Sequence, residues 1–262
     1  MFKFDKLDFF LVAIMIATPI TYFNGPDIAT TQAAAEQFSG SNTDVRTILA
    51  YNVSNDALTK FLPDGWELSP FKDGPSAGAN LQIEFVDQLY ATDPEGKVGA
   101  PYRYVLFGIP VHKKGSSEEV LMLFDGLSRG GAGPYQIAEK ADDEVSRSVK
   151  YGSQPTTVSE SWRFEGGGEM ASLQTEFERG ALESEKADSH VYSQLKPTFS
   201  RIYRYDEGAD VVQAGGEKSP RLHSYSFKAE GGKLSAIFNG SEKLVSVVSL
   251  PVYSRDIYLP AP

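Results

Sequence analysis

Two alternating runs that face each other across a glycine turn restrict this chain more than any other feature. In Val158-Ser-Glu-Ser-Trp-Arg-Phe164, residues 158, 160, 162 and 164 fall on one face of an extended strand, and Ala171, Leu173, Thr175 and Phe177 do the same in the next run. Between them Glu165-Gly-Gly-Gly168 supplies the positive φ that a tight reversal needs. A helix cannot satisfy a period of two, because side chains at i and i+2 point to opposite sides of its axis. Leu81-Gln-Ile-Glu-Phe85 repeats the pattern, with Leu81, Ile83 and Phe85 on one side and Gln82 and Glu84 on the other.

Further strands are expected at Val45–Val53, Tyr102–Val111, Val120–Phe124, Ser200–Tyr205, Leu222–Phe227, Leu234–Phe238 and Val252–Leu259. Gly108 and Pro110 mark a bulge or an edge, and Glu230-Gly-Gly-Lys233 reads as a second hairpin turn. Helices are expected in three places. Ser54 caps a short one that Pro63-Asp-Gly65 stops. Ile137, Ala141 and Val145 recur every four residues within Tyr135–Lys150, and Lys243–Val248 suits a short helix better than a strand. The sum is an α+β, β-rich class: a closed or nearly closed antiparallel β-barrel with a few short helices.

Ahead of this body lies Phe9–Ile20, an uncharged apolar run with Lys3 and Lys6 before it and Tyr22 and Phe23 after it. Residues 1–23 are therefore expected to form an N-terminal hydrophobic helix, 24–43 a linker and 44–262 the barrel domain. The run is short for a full span. Three readings stay open for it: a retained anchor or docking helix, a cleaved signal peptide, and a buried helix of the main domain. The first two place the body on the periplasmic or extracytoplasmic side, anchored at the membrane or secreted to the periplasm. In the first, the partner is a membrane or a membrane-protein complex engaged through residues 9–23.

A formal charge of −10 excludes a nucleic-acid partner, which needs clustered Lys and Arg. With no cysteine there is neither a disulfide nor a thiolate nucleophile. His112, His190 and His223 lie far apart and make no metal-ligand spacing, so neither a metal nor a cofactor is expected. The chemistry concentrates instead in Val120–Lys140, which reads as a buried strand, a glycine turn from Gly126 to Gly133 and a helix begun by Pro134. Free N–H groups at that helix start, beside Arg129, would hold a carboxylate or another small anion. Gly74-Pro-Ser-Ala-Gly78 has the letters of a nucleophile elbow, but a strand follows it where a helix is required, so it reads as a loop.

The order of elements resembles the acetoacetate decarboxylase family. Ala50-Tyr-Asn-Val-Ser-Asn-Asp-Ala-Leu-Thr-Lys-Phe-Leu-Pro63 is similar to that family's opening phrase, and Arg255-Asp-Ile-Tyr-Leu-Pro260 to its closing A-D-I-x-L-P. The resemblance implies a β-barrel with a central pocket, and homo-oligomers. It departs at the reactive position. Where the family carries G-R-E and then P-K-K-L, this chain has Arg129, Gly130 and Pro134-Tyr-Gln-Ile137, so Tyr135 stands in the place of the imine-forming lysine. A phenol cannot form an imine. Lys140, the nearest lysine, lies among acids that raise rather than lower an amine's pKa.

If the family layout holds, Tyr135 and Glu84 are the candidate catalytic groups, and Arg129, Gly133 and Arg103 the candidate ligand-binding ones, around one barrel mouth. The alternative for Glu84 and Arg103 is a cross-strand pair on a solvated sheet face. The expected function is a membrane-associated barrel without amine catalysis that binds a small anionic or ketone-like ligand or serves as a structural subunit. The rival is a lyase-type enzyme working through Tyr, Glu and Arg acid–base groups.

Overall fold

The computed structural model of the protein describes residues 35–152 and 155–261. The expected N-terminal helix, and residues 24–34 of the expected linker, lie outside the described residues. In chain order the strands are β1 (Gln37–Asn52), β2 (Trp66–Leu68), β3 (Leu81–Thr92), β4 (Tyr102–Lys113), β5 (Val120–Ser128), β6 (Ala138–Lys140), β7 (Asp142–Lys150), β8 (Thr157–Gly166), β9 (Glu169–Glu178), β10 (Glu183–Ser193), β11 (Ser200–Gln213), β12 (Leu222–Gly231) and β13 (Lys243–Leu259). Two helical turns, α1 (Asn55–Thr59) and α2 (Leu234–Ile237), follow β1 and β12. No helix among the described residues is long and apolar enough to cross a membrane.

Seven strands close into a barrel in the order β4-β3-β1-β13-β11-β10-β5 and back to β4. Every joint is antiparallel except β10–β5, where Val191, Tyr192 and Ser193 run parallel to Leu121, Met122 and Leu123. The barrel is therefore mixed, not wholly antiparallel as expected. A separate sheet, β12-β9-β8-β7, covers one side of it. Period-two alternation divides the work between the two faces of each barrel strand. Leu81, Ile83 and Phe85 of β3 point outward, away from the barrel axis, into a dry core shared with Trp162, Phe164, Leu173 and Phe177 of the covering sheet. Phe85 is fully buried there, its ring 5.8 Å from that of Trp162 and 6.2 Å from that of Phe227. Gln82 and Glu84 point the other way, into the barrel.

The hairpin of β8 and β9 follows the sequence pattern, pairing Trp162 with Leu173 and Phe164 with Ala171. Four elements differ from expectation. Tyr135–Lys150 is a loop and two strands, not a helix. A repeat of four residues is also two strand periods, and Asp143, Val145 and Arg147 of β7 face inward while Asp142, Glu144 and Ser146 are exposed. Leu234–Phe238 is not a strand but the turn α2, in which Leu234 and Ile237, three apart, share the buried side. Glu230–Lys233 accordingly leads into that turn and not into a second hairpin. Lys243–Val248 is the start of β13, where both faces are packed, Val247 in the main core and Val245 and Val248 in two smaller clusters, so that Val245 to Leu250 are all buried and the alternation is erased.

The barrel also begins earlier than residue 44. Residues 37–43, expected as linker, belong to β1 and pair with both β13 and β3. Gly40 makes this possible: its φ of 127° lies outside the range of other residues, and an added Cβ would sit 2.2 Å from the Thr92 carbonyl oxygen.

Barrel, covering sheet and α2 meet at a buried carboxyl, Asp125. It accepts the Gly126 N–H at 2.9 Å and faces the Lys233 ammonium at 3.6 Å, while Lys233's own backbone N–H binds Glu169 at 2.8 Å. Burial, with the charge of Glu169 behind it, pushes Asp125 up to about 6 despite Lys233. A carboxyl raised in the folded state contributes stability that is present below its unfolded value and lost as pH rises through the folded one. Over two units the loss is about 2–3 kcal/mol. Asp125→Asn should therefore make the difference in stability on going from pH 4 to pH 7, measured by urea unfolding, more favourable by about that amount. An unchanged difference would show that Asp125 ionises in the folded protein as it does in the unfolded chain. Phe85→Ala, at the centre of the dry core, should cost about 3–5 kcal/mol in the same assay.

Candidate functional site

The barrel interior is not plugged. It holds a cavity of about 710 Å³ whose wall carries charged and phenolic side chains among aliphatic ones. Its central feature is a run of hydrogen bonds along the inner faces of β13, β1 and β3. Arg255 Nε donates to Asn42 Oδ1 at 2.7 Å, and Asn42 Nδ2 donates to Asp44 Oδ1 at 2.7 Å. Arg46 donates from Nε to Asp44 Oδ2 at 3.1 Å and from Nη1 to Glu84 Oε2 at 3.0 Å. Gln82 Nε2 closes the run on Glu84 Oε1 at 2.7 Å. Asp44 and Arg46 are almost wholly buried. Stacking fixes the planes of both guanidinium groups, with Arg46 3.7 Å above the Tyr253 ring and Arg255 4.0 Å above that of Tyr203.

A phenolic end adjoins this run. Tyr135 and Tyr203 are both buried, and their hydroxyls lie 2.6 Å apart. Burial, with the neighbouring Tyr203, pushes the Tyr135 phenol well up, so it stays protonated across the physiological range. Tyr135 sits in the loop between β5 and β6, which turns through Gln136 at a φ of 60° and is tied to β10 where Ser193 Oγ donates to the Tyr135 carbonyl at 2.7 Å. Glu207, on β11, borders the acidic end of the cavity and lies in register with Tyr253 on one side and Glu185 on the other. Burial and then the Glu185 charge push its carboxyl up to about 7, against the pull of Arg46.

The structure brings together some of the sequence-derived candidates and separates others. Glu84, Gly133 and Tyr135 line the cavity. Arg103 and Arg129 do not. Arg103 falls between Tyr102 and Tyr104, which both face the cavity, so alternation turns it to the opposite side, where it pairs with Asp87 at 3.0 Å and Asp143 at 3.7 Å. Arg129 is exposed and meets the same Asp143 at 2.5 Å. These two arginines hold the ends of β4 and β5 against β7. The expected anion seat at a helix start falls as well, because Pro134 begins no helix. Nor do Glu84 and Arg103 pair, since Glu84 belongs to Arg46. Lys140 is exposed on β6.

Sequence reasoning missed Arg46, Arg201, Glu207 and Arg255 as wall residues, and Asp44 as the buried partner of Arg46. A signal existed in Arg201-Ile-Tyr-Arg-Tyr-Asp-Glu207, where Arg201, Tyr203, Tyr205 and Glu207 share one parity and all four line the cavity. The three histidines each meet a glutamate, His112 with Glu67, His190 with Glu118 and His223 with Glu178. They form no metal cluster among the described residues.

No protein-family model matches the chain, and no curated protein is similar to it. Solved structures are. One is an enduracididine biosynthesis enzyme, MppR, complexed with the condensation product of pyruvate and imidazole 4-carboxaldehyde; it is 12% identical, with a TM-score of 0.49 over 93% of this chain and 95% of that one. A second is acetoacetate decarboxylase from Legionella pneumophila, 15% identical, with a TM-score of 0.48 over 91% of each chain. A third is an acetoacetate decarboxylase-like enzyme from Sphingomonas wittichii RW1, 10% identical, with a TM-score of 0.47 over 86% of this chain and 92% of that one.

The raised carboxyl at Glu207 can be checked without disturbing the fold. Glu185 is exposed, so Glu185→Gln should leave the barrel intact and move the Glu207 midpoint, read by carboxyl-carbon NMR, downward from about 7. A midpoint that stays in place would show that Glu185 does not act on it. Arg46→Met leaves Asp44 buried and uncompensated and should cost about 3–5 kcal/mol of stability.

Proposed function

We propose that this protein holds a small anionic or ketone-like organic molecule inside its barrel. The observation that carries this reading is the charged cavity itself. A barrel that serves only as scaffold fills its interior with side chains, whereas here Arg46, Glu84 and Arg255 line a space of about 710 Å³, within the range of small-molecule sites. The cations on the wall are arginines, which stay protonated and bind carboxylates or polarise carbonyls but do not form imines. The likeness to decarboxylase structures is not what this reading rests on.

A second reading, a lyase-type enzyme, is favoured by one specific group. Glu207 borders the cavity with a carboxyl that changes charge near pH 7, the property that a general acid or base working at neutral pH requires. In that reading Glu207 and Glu84 move protons while Arg46 and Arg255 steady the charge that develops on a carbonyl oxygen.

Where the protein works is proposed from the sequence alone. Phe9–Phe23 would hold the barrel at a membrane or against a membrane-protein complex on the extracytoplasmic side.

Thermal-shift titration of the protein with acetoacetate, acetone and acetate tests the ligand reading. A saturable rise in Tm with at least one of them is expected, and flat curves with all three would count against it. If the enzyme reading holds, acetoacetate turnover will show a pH inflection near 7 that Glu207→Gln abolishes. Release from membranes separates the placements: the whole chain should need detergent, and a chain starting at Gln32 should not. Equal solubility of the two would end the anchor proposal.

A further inference from the structure

The phenolic end of the cavity carries hydrogen-bond donors in excess of acceptors. Arg201 has no hydrogen-bond or ion-pair partner among the described residues, and its Nε is buried. Arg201 and Tyr203 stand two positions apart on the same face of β11, the Arg255 guanidinium lies on the Tyr203 ring, and the charges of both arginines act on the Tyr135 phenol. Arg255 spends Nε on Asn42 and reaches the Tyr104 hydroxyl from Nη2 at 3.4 Å, which leaves Nη1 without an acceptor among the described residues. The Tyr135–Tyr203 pair adds one more donor. Two phenols bring two O–H groups, their mutual bond uses one, and the other is left over.

Most carboxylates of the wall are taken: Asp188 is held by Arg204 at 3.2 Å, Glu118 by His190 at 2.7 Å, Glu84 by Arg46 at 3.0 Å and Glu119 by Ser69 at 3.1 Å. Glu207, the wall carboxylate without such a partner among the described residues, stands six residues along β11 from Arg201, at the acidic end. Such donors, left unmatched, cost stability that an incoming acceptor recovers. Around them the wall is apolar: Leu123, Ile137 and Val191 form a buried cluster with Tyr135 and Tyr203, joined by Leu121 and Ile257.

From this arrangement we infer that Arg201, Arg255 and the Tyr135–Tyr203 pair form an oxyanion seat for a monocarboxylic acid whose aliphatic or aromatic tail lies against Leu123, Ile137 and Val191. The inference rests on the ligand-binding reading above and narrows it. The acid is bound through charge-assisted hydrogen bonds from both arginines, and no bond is made or broken.

Calorimetric titration at low ionic strength with hexanoate, 1-hexanol and hexylamine tests the seat. Hexanoate should bind, and the alcohol and the amine at least tenfold more weakly. Arg201→Gln should weaken hexanoate at least tenfold and leave 1-hexanol unaffected. Because Arg201 has no protein partner, the ligand-free variant should melt no lower than the parent protein. Should that variant fail to fold, the double variant Tyr135→Phe, Tyr203→Phe, which keeps both arginines and removes the spare O–H, should weaken hexanoate several-fold.

Equal affinity for hexanoate and 1-hexanol, hexanoate affinity indifferent to Arg201→Gln, or a clear fall in Tm of that ligand-free variant would each overturn the seat. Absence of hexanoate binding beside a positive response to acetoacetate or acetone would also remove the seat and spare the ligand-binding reading. No response to any compound in either series would remove both.

Discussion

An arginine locked between two carboxylates at the heart of a barrel sets the terms for the rest of the fold. Arg46 is bonded to Asp44 and Glu84 where water has little access, and such a group is tolerated only if its partners are fixed and their remaining hydrogen-bond capacity is met. Each part of that requirement has a structural answer. Asp44 and Arg46 stand two apart on β1, so their side chains meet, and Arg46 reaches the cavity wall. Asn42 satisfies a further oxygen of Asp44, Gln82 one of Glu84, and the Tyr253 ring lies against the guanidinium. A core of aliphatic side chains in the same space would leave these charges without company, so the interior stays open to whatever polar molecule fills it.

The dry core that a barrel of this size needs lies elsewhere. It forms between the outer faces of β3, β4 and β5 and the covering sheet, where Phe85, Phe107, Phe124, Trp162 and Phe164 are fully buried. Because a strand turns alternate residues to opposite sides, a single stretch such as Leu81–Glu84 serves both regions, with stability on one face and chemistry on the other. This separation frees the cavity wall from carrying the stability of the fold. Arg201 can therefore stand without a partner, and Glu207 can keep a carboxyl near neutrality, without unfolding the domain.

The same alternation decided what was legible. Leu81–Phe85 and the β8–β9 hairpin were plain because one face is apolar and the other polar. Tyr135–Lys150 misled because Ile137, Ala141 and Val145 fit two periods at once, and the length expected of a helix hid a loop and two strands. β10 was not anticipated: Glu183–Ala187 is nearly all exposed, and the strand is held by its neighbours β11 and β5 and not by an apolar stripe of its own. Its parallel joint to β5 closes the barrel between segments some 70 residues apart, a contact that no local pattern records. At the site, Glu84 and Tyr135 were readable, the first from alternation and the second from the resemblance in the glycine turn. Arg103 and Arg129 lie off the cavity, the first because alternation through Tyr102–Tyr104 turns it away and the second because it is exposed and paired with Asp143. Arg255 stood in view as the residue at which the closing phrase differs from A-D-I-x-L-P, and it proved to be one of the cavity's cations.

A crystal structure of the protein soaked in 6-bromohexanoate, read at the bromine absorption edge, tests the open, charged interior most directly. The account predicts bromine anomalous density inside the barrel, with the carboxylate oxygens within hydrogen-bonding distance of Arg201 and Arg255 and the Asp44–Arg46–Glu84 contacts unchanged. Bromine confined to the outer surface, around a collapsed interior in which Arg46 has turned out to solvent, would contradict it.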